Sequence, residues 1–411
     1  MKIGLLREGK IPPDERVALT PEQCLEFMDR WPDLELVVQT SNVRRIQDSE
    51  YIEYGVEVVH DVSDCDILIG VKEVNIEDLV PGKTFLFFSH TYKQQPYNAK
   101  LLAALLEKKV SLIDYEMLRG ADGRRVIGFG RWAGIVGAYN GLRSWGLREK
   151  CFELPRAIDC TDLKEMIAEA SSVEFPEGMK IVLTGNGRVG RGASELLDAV
   201  GVRKVDKNEF LESEFEGEAV YAHLGLSDYN ERKDGGKFDR EEFKNDPSGF
   251  KSSFMKYAKA ADMFIAGHYY AEGSPYIITR EDLKDDDVRI KVVADVSCDI
   301  DGPVACTIRP STVADPLYGY EPNSEQECAF DDPKGITVMA VDNLPCELPR
   351  DASRGFGIEM MKHIIPLLIE GDKDGVLAGA RETDLEGNLT EKYSYLKEYA
   401  EGGATELQKH I

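Results

Sequence analysis

Short apolar runs alternate with helix-period stretches along the first 130 residues. Residues 2–6, 34–38, 66–71 and 84–89 read as strands bounded by turn formers. Between the first two, Thr20-Pro21-Glu22-Gln23 offers a cap, a proline at the first helical position and a glutamine able to reach back, which predicts a helix through Met28. Residues 98–109 give the next helix. From 132 to 147, Ala133, Gly134, Ile135, Val136, Ala138, Leu142 and Trp145 recur at helical spacing, as suits a helix packed closely between two domains. Residues 179–184 form a buried strand feeding a glycine turn and a helix over 193–200, and 202–205 reads as the strand after it. Residues 207–250 are rich in Asp, Glu, Lys and Gly with weak periodicity and read as an inserted surface segment. Strands at 263–266, 292–296 and 337–341 follow, then a long amphipathic helix over 352–370. This rhythm predicts an α/β chain of two Rossmann-like open parallel-sheet domains with a cleft between them, one from 1–130 plus 353–411, the other from 131–352.

Composition narrows the classes of function. A chain of 411 residues exceeds one ordinary core, and 42% hydrophobic with 30% charged residues is ordinary globular composition. The net charge of −25 opposes binding to nucleic acid or to an anionic membrane. No apolar run approaches the roughly 18 residues of a membrane span, and the chain opens on the strand-like Lys2-Ile3-Gly4-Leu5-Leu6, so a cytoplasmic protein is expected. The eight cysteines are scattered without any Cys-x-x-Cys pair, and no metal is expected.

Candidate chemistry begins at Gly185-Asn186-Gly187-Arg188-Val189-Gly190, where a strand turns into a helix. Gly185 permits the tight turn, Gly187 lets backbone approach a pyrophosphate, Gly190 lets helix pack on strand, and the first helical N–H groups face the phosphates. A dinucleotide is therefore expected, held by these residues with Arg188 and Val189. Asp206, some twenty residues beyond Gly185, stands where a carboxylate accepts the adenosine ribose hydroxyls, which favours NAD. Lys207, Arg203 and Lys204 could accommodate a 2′-phosphate and keep NADP as the alternative. His268 and Tyr269, and Asp342 and Leu344, follow later strands and complete the candidate cofactor contacts, with Asp342 where nicotinamide should sit.

Lys72 and His90 close the predicted strands 66–71 and 84–89. A lysine of lowered pKa can take a proton from an amine, and a histidine titrating near neutrality can activate water. Around them, Leu6-Arg7-Glu8, Glu15-Arg16-Val17-Ala18-Leu19-Thr20-Pro21 and Gly70-Val71-Lys72-Glu73-Val74 resemble the pattern shared by alanine dehydrogenases, transhydrogenases and lysine-forming saccharopine dehydrogenases. Phe87-Phe88-Ser89-His90-Thr91-Tyr92-Lys93-Gln94, Leu112-Ile113-Asp114-Tyr115-Glu116 and residues 123–130 narrow the resemblance. They look like lysine-forming saccharopine dehydrogenase, and especially the lysine-ketoglutarate reductase half of bifunctional lysine-degrading enzymes. The match continues through 294–299, 341–349 and 391–393.

The resemblance implies oxidation of saccharopine to L-lysine and 2-oxoglutarate with reduction of NAD or NADP. Lys72 then occupies the position of the base that deprotonates the secondary amine, and His90 that of the group handling water at the imine. Arg7, Lys93 and Arg125 would bind substrate carboxylates, while Glu73, Glu116 and Asp342 would orient the lysines or the cationic substrate end. Two other readings use the same residues. An alanine-dehydrogenase-like enzyme would use Arg16, Lys72 and His90, and a non-catalytic NAD(P)-binding regulator would need neither Lys72 nor His90. Lys72→Met and His90→Gln are each expected to lower turnover by about two or more orders of magnitude while NAD still binds, the size typical of general acid–base groups. Steady-state rates with equilibrium dinucleotide binding check this, and wild-type rates in both variants would refute the roles.

Overall fold

The computed structural model describes residues 1–408. It divides into two compact units, Met1–Phe129 together with the segment beginning at Pro349, and Gly130–Leu348. The first unit is built on β1 (Lys2–Leu5), β2 (Glu35–Gln39), β3 (Glu57–Val59), β4 (Ile67–Ile69), β5 (Thr84–Phe87) and β6 (Ser111–Asp114), in the order β3-β2-β1-β4-β5-β6. Every pairing is parallel. Strands buried on both faces read as unbroken apolar runs, which is why Ile67-Leu68-Ile69 and Phe85-Leu86-Phe87 show no alternation. β3 and β6 lie outside the predicted strands; each is too short, and too framed by polar residues, to register as a pattern. The strand order reverses between β1 and β4, and their carboxyl ends are where such sheets bind ligands. Arg7 and Glu8 follow β1, Lys72 follows β4, His90 follows β5 and Glu116 follows β6.

The returning segment is keyed to this sheet. Pro21–Arg30 is the predicted helix, and the Thr20 N–H donates to Gln23 Oε1 at 2.8 Å. The Gln23 amide then donates to the Arg354 carbonyl at 2.8 Å, and a Cβ on Gly357 would stand 1.9 Å from Gln23 Oε1. The helix predicted over 352–370 is present as Pro349–Glu359 and Ile365–Glu370 joined by a π turn, Met360–Ile364. Pro366 accounts for the interruption, since it lacks an N–H and its ring clashes with the preceding turn. Phe356, Met360, Met361, Ile364 and Ile365 complete the core.

The second unit carries β7 (Lys180–Thr184), β8 (Arg203–Val205), β9 (Val220–Leu224), a hairpin of β10 (Asn230–Arg232) and β11 (Phe250–Ser252), then β12 (Met263–Ala266), β13 (Val292–Asp295), β14 (Leu317–Glu321), β15 (Gln326–Cys328) and β16 (Ile336–Met339). Its main sheet runs β15-β14-β16-β13-β12-β7-β9-β8, parallel except where β14 and β15 extend one edge antiparallel. The α/β class with parallel sheets is as expected. Two expectations are corrected. The stretch 207–250 is more than a surface insertion: it contains β9, an interior strand beside the glycine strand. Val220-Tyr221-Ala222-His223-Leu224 is a five-residue run whose acidic and glycine-rich flanks mask it. β8, expected next to β7, is displaced to the edge. Phe238, Phe243 and Phe250 pack together at centroid distances of 5.1–5.5 Å and give the hairpin its own small cluster.

The helix predicted over 132–147 spans Gly130–Glu149, and its close partners lie in its own unit. A Cβ on Gly134 would fall 1.9 Å from the Val189 carbonyl, one on Gly137 2.3 Å from Val296 Cγ2, and one on Gly192 2.0 Å from the Arg131 carbonyl. Backbone therefore meets backbone between this helix and Arg188–Ala199, the helix that follows the glycine turn. Gly134→Ala is expected to destabilise the protein by about 2 kcal/mol or more, the scale of overpacking a tight contact. Gly187→Ala, whose Cβ meets nothing within 4 Å, should stay within about 0.5 kcal/mol of wild type. Urea unfolding of both variants checks the contrast, and equal losses would contradict it.

Candidate functional site

In the first unit the chemistry is set by how the backbone leaves each strand. Beyond β4, the Val71 and Lys72 N–H groups have no strand to pair with, and they donate to the two oxygens of Glu8 at 2.7 and 2.8 Å. Burial, with Asp14 nearby, pushes the Glu8 carboxyl up to about 8, against the pull of those two N–H groups and of Arg16. The Tyr115 hydroxyl donates to the Gly70 carbonyl at 2.9 Å, so the approach to Lys72 is held from both β1 and β6.

His90 adopts the left-handed conformation, with φ 55°. A non-glycine residue pays of the order of 1–2 kcal/mol for this, so it persists where surroundings fix it. Its Nδ1 lies 2.6 Å from Glu73 Oε1, while Lys10 Nζ donates to Glu73 Oε2 at 2.9 Å. Burial disfavours charge on Glu73, yet its hydrogen bond to and charge interaction with His90, followed by those of Lys10, outweigh it and hold the carboxyl at about 2. His90 is thus tied to Glu73, the residue next to Lys72 in the chain.

A second cluster gathers on Glu116. Lys93 Nζ stands 3.1 Å from its Oε2 and Arg125 Nη2 3.0 Å from its Oε1, while its N–H donates to Asp114 Oδ1 at 2.6 Å. Burial opposes ionisation of Glu116, but Lys93, Arg125 and His90 hold its carboxyl below the usual range. Two cations thus meet on one buried carboxylate in a chain of net charge −25. Arg7 is exposed and sits 3.6 Å from Asp78, with its backbone N–H on Gln39. Arg16 is only 1% exposed, donates twice to Asp14 at 2.9 and 2.6 Å, and lies over the Phe129 ring at 4.1 Å. It forms a buried ion pair with Asp14.

In the second unit the three glycines divide by cause. Gly185, at φ 98°, faces the Gly267 carbonyl, which a Cβ would approach to 2.3 Å, and a Cβ on Gly190 would stand 1.6 Å from the Gly185 carbonyl. Both are demanded by packing. Gly187 faces open space and caps the Arg188–Ala199 helix without a side chain, so the first N–H groups of a 12-residue helix have no side-chain cap. Open space before an uncapped helix start fits a pyrophosphate. His268 follows β12, with Nδ1 2.9 Å from Thr184 Oγ1 and a buried Nε2 that makes no hydrogen bond. Burial lowers its pKa to about 4, so it is neutral at physiological pH. Tyr269 is 87% exposed and Asp342 is exposed beyond β16, whereas Leu344 is buried with its side chain towards Gly137.

Asp206 departs from its expected place. It ends the edge strand β8, with β9 between it and the glycine strand, and its carboxylate accepts the Asn208 N–H at 2.8 Å as a helix cap. The strand beside β7 instead ends at Gly225, whose N–H donates to Asp228 Oδ2 at 2.8 Å. A cavity of about 450 Å³ beside the turn is lined by Asn186, Arg191, Ser194, Glu195, Asp198, Lys204 and His223. Reading by sequence also missed Glu8 and Lys10. Arg7-Glu8 and Lys72-Glu73 share a motif, but only the adjacency of β1 and β4 turns it into a contact.

Comparison with known proteins agrees with the resemblance read from the sequence. Residues 4–136 match the family described as alanine dehydrogenase/PNT, N-terminal domain. The chain is 26% identical over its whole length to alpha-aminoadipic semialdehyde synthase of Arabidopsis thaliana, and 28% identical over 89% of its length to the mitochondrial protein of that name from Mus musculus. It spans less than half of those relatives, 42% and 44% of their lengths. Saccharopine dehydrogenase [NAD(+), L-lysine-forming] of Emericella nidulans is 27% identical over 89% of this chain and 92% of its own. Among solved structures, an L-alanine dehydrogenase (TM-score 0.64, 16% identity, 98% of this chain and 100% of that one) and the transhydrogenase from Sinorhizobium meliloti (0.60, 14%, 95% and 99%) share the fold. The expectation of an oxidoreductase is borne out at that level, since the relatives aligned over nine-tenths of their length are dehydrogenases by name. Among the described residues, no helix is long and apolar enough to cross a membrane.

Glu73 gives a test that needs no substrate. A depressed carboxyl contributes stability that is complete above its unfolded value of 4.5 and is lost as pH falls through about 2. Each tenfold change in proton affinity on folding corresponds to about 1.4 kcal/mol. The stability gap between wild type and Glu73→Gln should therefore shrink as pH falls over that window, as read by urea unfolding. Parallel curves would show that the pair contributes nothing.

Proposed function

We propose that the chain catalyses the reversible oxidative cleavage of saccharopine, taking the substrate, NAD(P)+ and water to L-lysine, 2-oxoglutarate and NAD(P)H. The observation that carries this reading is the cluster of Lys93 and Arg125 on buried Glu116, within the same unit as Lys72 and the His90–Glu73–Lys10 relay. A substrate with three carboxylates and a terminal ammonium needs cations with an acid among them, and a pyruvate-sized ligand does not. Lys72 takes the proton from the secondary amine, because loss of hydride from carbon next to nitrogen requires a neutral amine. His90, oriented by Glu73, handles the proton of the water that adds to the imine and splits it. Lys93 and Arg125 bind carboxylate, and Glu116, paired with both, sets their positions. Gly185, Gly187, Gly190, Arg188 and Val189, with His268 and Asp342, would hold a dinucleotide whose nicotinamide, when bound, would supply the hydride acceptor.

For the cofactor, two readings stand. NAD is the first expectation, and the name of the Emericella nidulans relative supports it. NADP is supported by the edge position of Asp206 and by Arg191 and Lys204 in the cavity beside the turn, where a 2′-phosphate would find cations. Lysine plus 2-oxoglutarate should consume NADH or NADPH, while ammonia plus pyruvate should not; turnover of the second pair alone would sink the proposal. Lys93→Ala and Arg125→Ala are each expected to raise KM for 2-oxoglutarate about tenfold or more, the loss of one charged hydrogen bond.

A further inference from the structure

We infer that Glu382, far along the returning segment, is a positioning residue that fixes the His90 loop as a neutral acid, through a chain of hydroxyls running Glu382–Thr91–Ser89–Asp114. This deepens the reading above, since it takes His90 as the group that handles water. All four side chains are fully buried. Thr91 Oγ1 lies 2.6 Å from Glu382 Oε2 and 2.5 Å from Ser89 Oγ, and the Ser89 hydroxyl donates to Asp114 Oδ2. Three links join four oxygens, and each link needs one proton. The hydroxyls supply two. The third must come from a carboxylic acid at one end; with both ends ionised, one link would set two lone pairs against each other. Asp114 also accepts the N–H groups of Ser89 at 2.9 Å and Glu116 at 2.6 Å, as a carboxylate does. Glu382 Oε1 has no hydrogen-bond partner, as suits the carbonyl of an acid. The proton therefore resides on Glu382, which donates to Thr91, which donates to Ser89, which donates to Asp114.

The chain brackets His90. Ser89 and Thr91 are tied on either side of it, and the Asn98 amide holds the Ser89 carbonyl at 2.9 Å, so the left-handed turn at His90 is fixed from both neighbours. Glu382 is itself placed by its N–H on the Leu112 carbonyl at 2.9 Å. The titratable groups facing it are Asp114 on β6, Glu116 beyond the strand end, and Lys392, Tyr393, Tyr395 and Tyr399 on the last helical segments. Lys392, the cation of this set, donates to the Gly379 carbonyl at 2.5 Å. Burial first, then the charge of Asp114, pushes the Glu382 carboxyl up to about 8, in agreement with the proton count. A raised acid favours the folded state most below its unfolded value of 4.5, and this contribution is lost as pH rises through about 8.

The test pairs two variants with two readouts. Glu382→Gln cannot ionise and still offers an N–H to Thr91; Thr91→Val cuts the chain at similar volume. The Tm of wild type, without substrate, should fall relative to that of Glu382→Gln between about pH 5 and about pH 9. Glu382→Gln should hold kcat for lysine plus 2-oxoglutarate within about threefold near neutrality and keep it further into the alkaline range. Thr91→Val should lower kcat at least tenfold with KM for the dinucleotide unchanged. Parallel Tm curves, a Glu382→Gln chain that fails to fold, or a Thr91→Val kcat within twofold of wild type would each overturn the inference. Divergent Tm curves in a wild type inactive on those substrates would instead overturn the proposed reaction and leave the hydroxyl chain standing.

Discussion

Backbone N–H groups just beyond the end of a parallel strand have lost their neighbour and are still buried, so something must accept from them. In this protein buried carboxyl groups do so, three times over. Glu8 takes the N–H groups of Val71 and Lys72 after β4, Asp114 takes those of Ser89 after β5 and Glu116 after β6, and Asp295 takes those of Ser297 and Cys298 after β13. An acceptor with two oxygens can fix two successive residues, which a single backbone carbonyl does less well. The candidate side chains are therefore delivered from strand ends whose backbone is held by these acceptors, and the sheets behind them serve as the frame that places those acceptors.

The acids of the first unit fall into two electrostatic groups. Glu73 and Glu116 each sit between two cationic or protonatable partners and are held charged. Glu8 and Glu382 have backbone or hydroxyl partners and too little positive charge to offset burial, so their carboxyls are pushed up. The split matters because it assigns work. Charged carboxylates orient His90, Lys93 and Arg125, while the raised ones shape backbone and loop. Opposite shifts among neighbouring acids of the same type arise from what each one faces.

Much of this was legible in the sequence, and the parts that were not share a cause. The strands ending at Lys72 and His90, the glycine turn, the capped Pro21–Arg30 helix and the grouping of Lys93, Glu116 and Arg125 follow from local pattern and motif. Contacts that depend on strand order were not readable: Glu8 beneath Lys72 requires β1 and β4 to be neighbours, and Glu382 beneath Thr91 joins residues 291 positions apart. β9 escaped notice because its five residues, four of them buried, lie among charged ones. Arg16 belongs to a familiar motif, but its burial against Asp14 and Phe129 depends on packing that no spacing encodes.

The insertion of β9 between β7 and β8 separates distance along the chain from distance across the sheet. An alignment that counts about twenty residues from the glycine turn to find the ribose-binding acid arrives at Asp206, one strand further from the glycine strand than the count assumes. Attempts to exchange cofactor preference by grafting at that aligned position would alter a helix cap. The graft point that the topology offers is the end of β9, residues 225–228, and homologues bearing the same extra strand should be compared there.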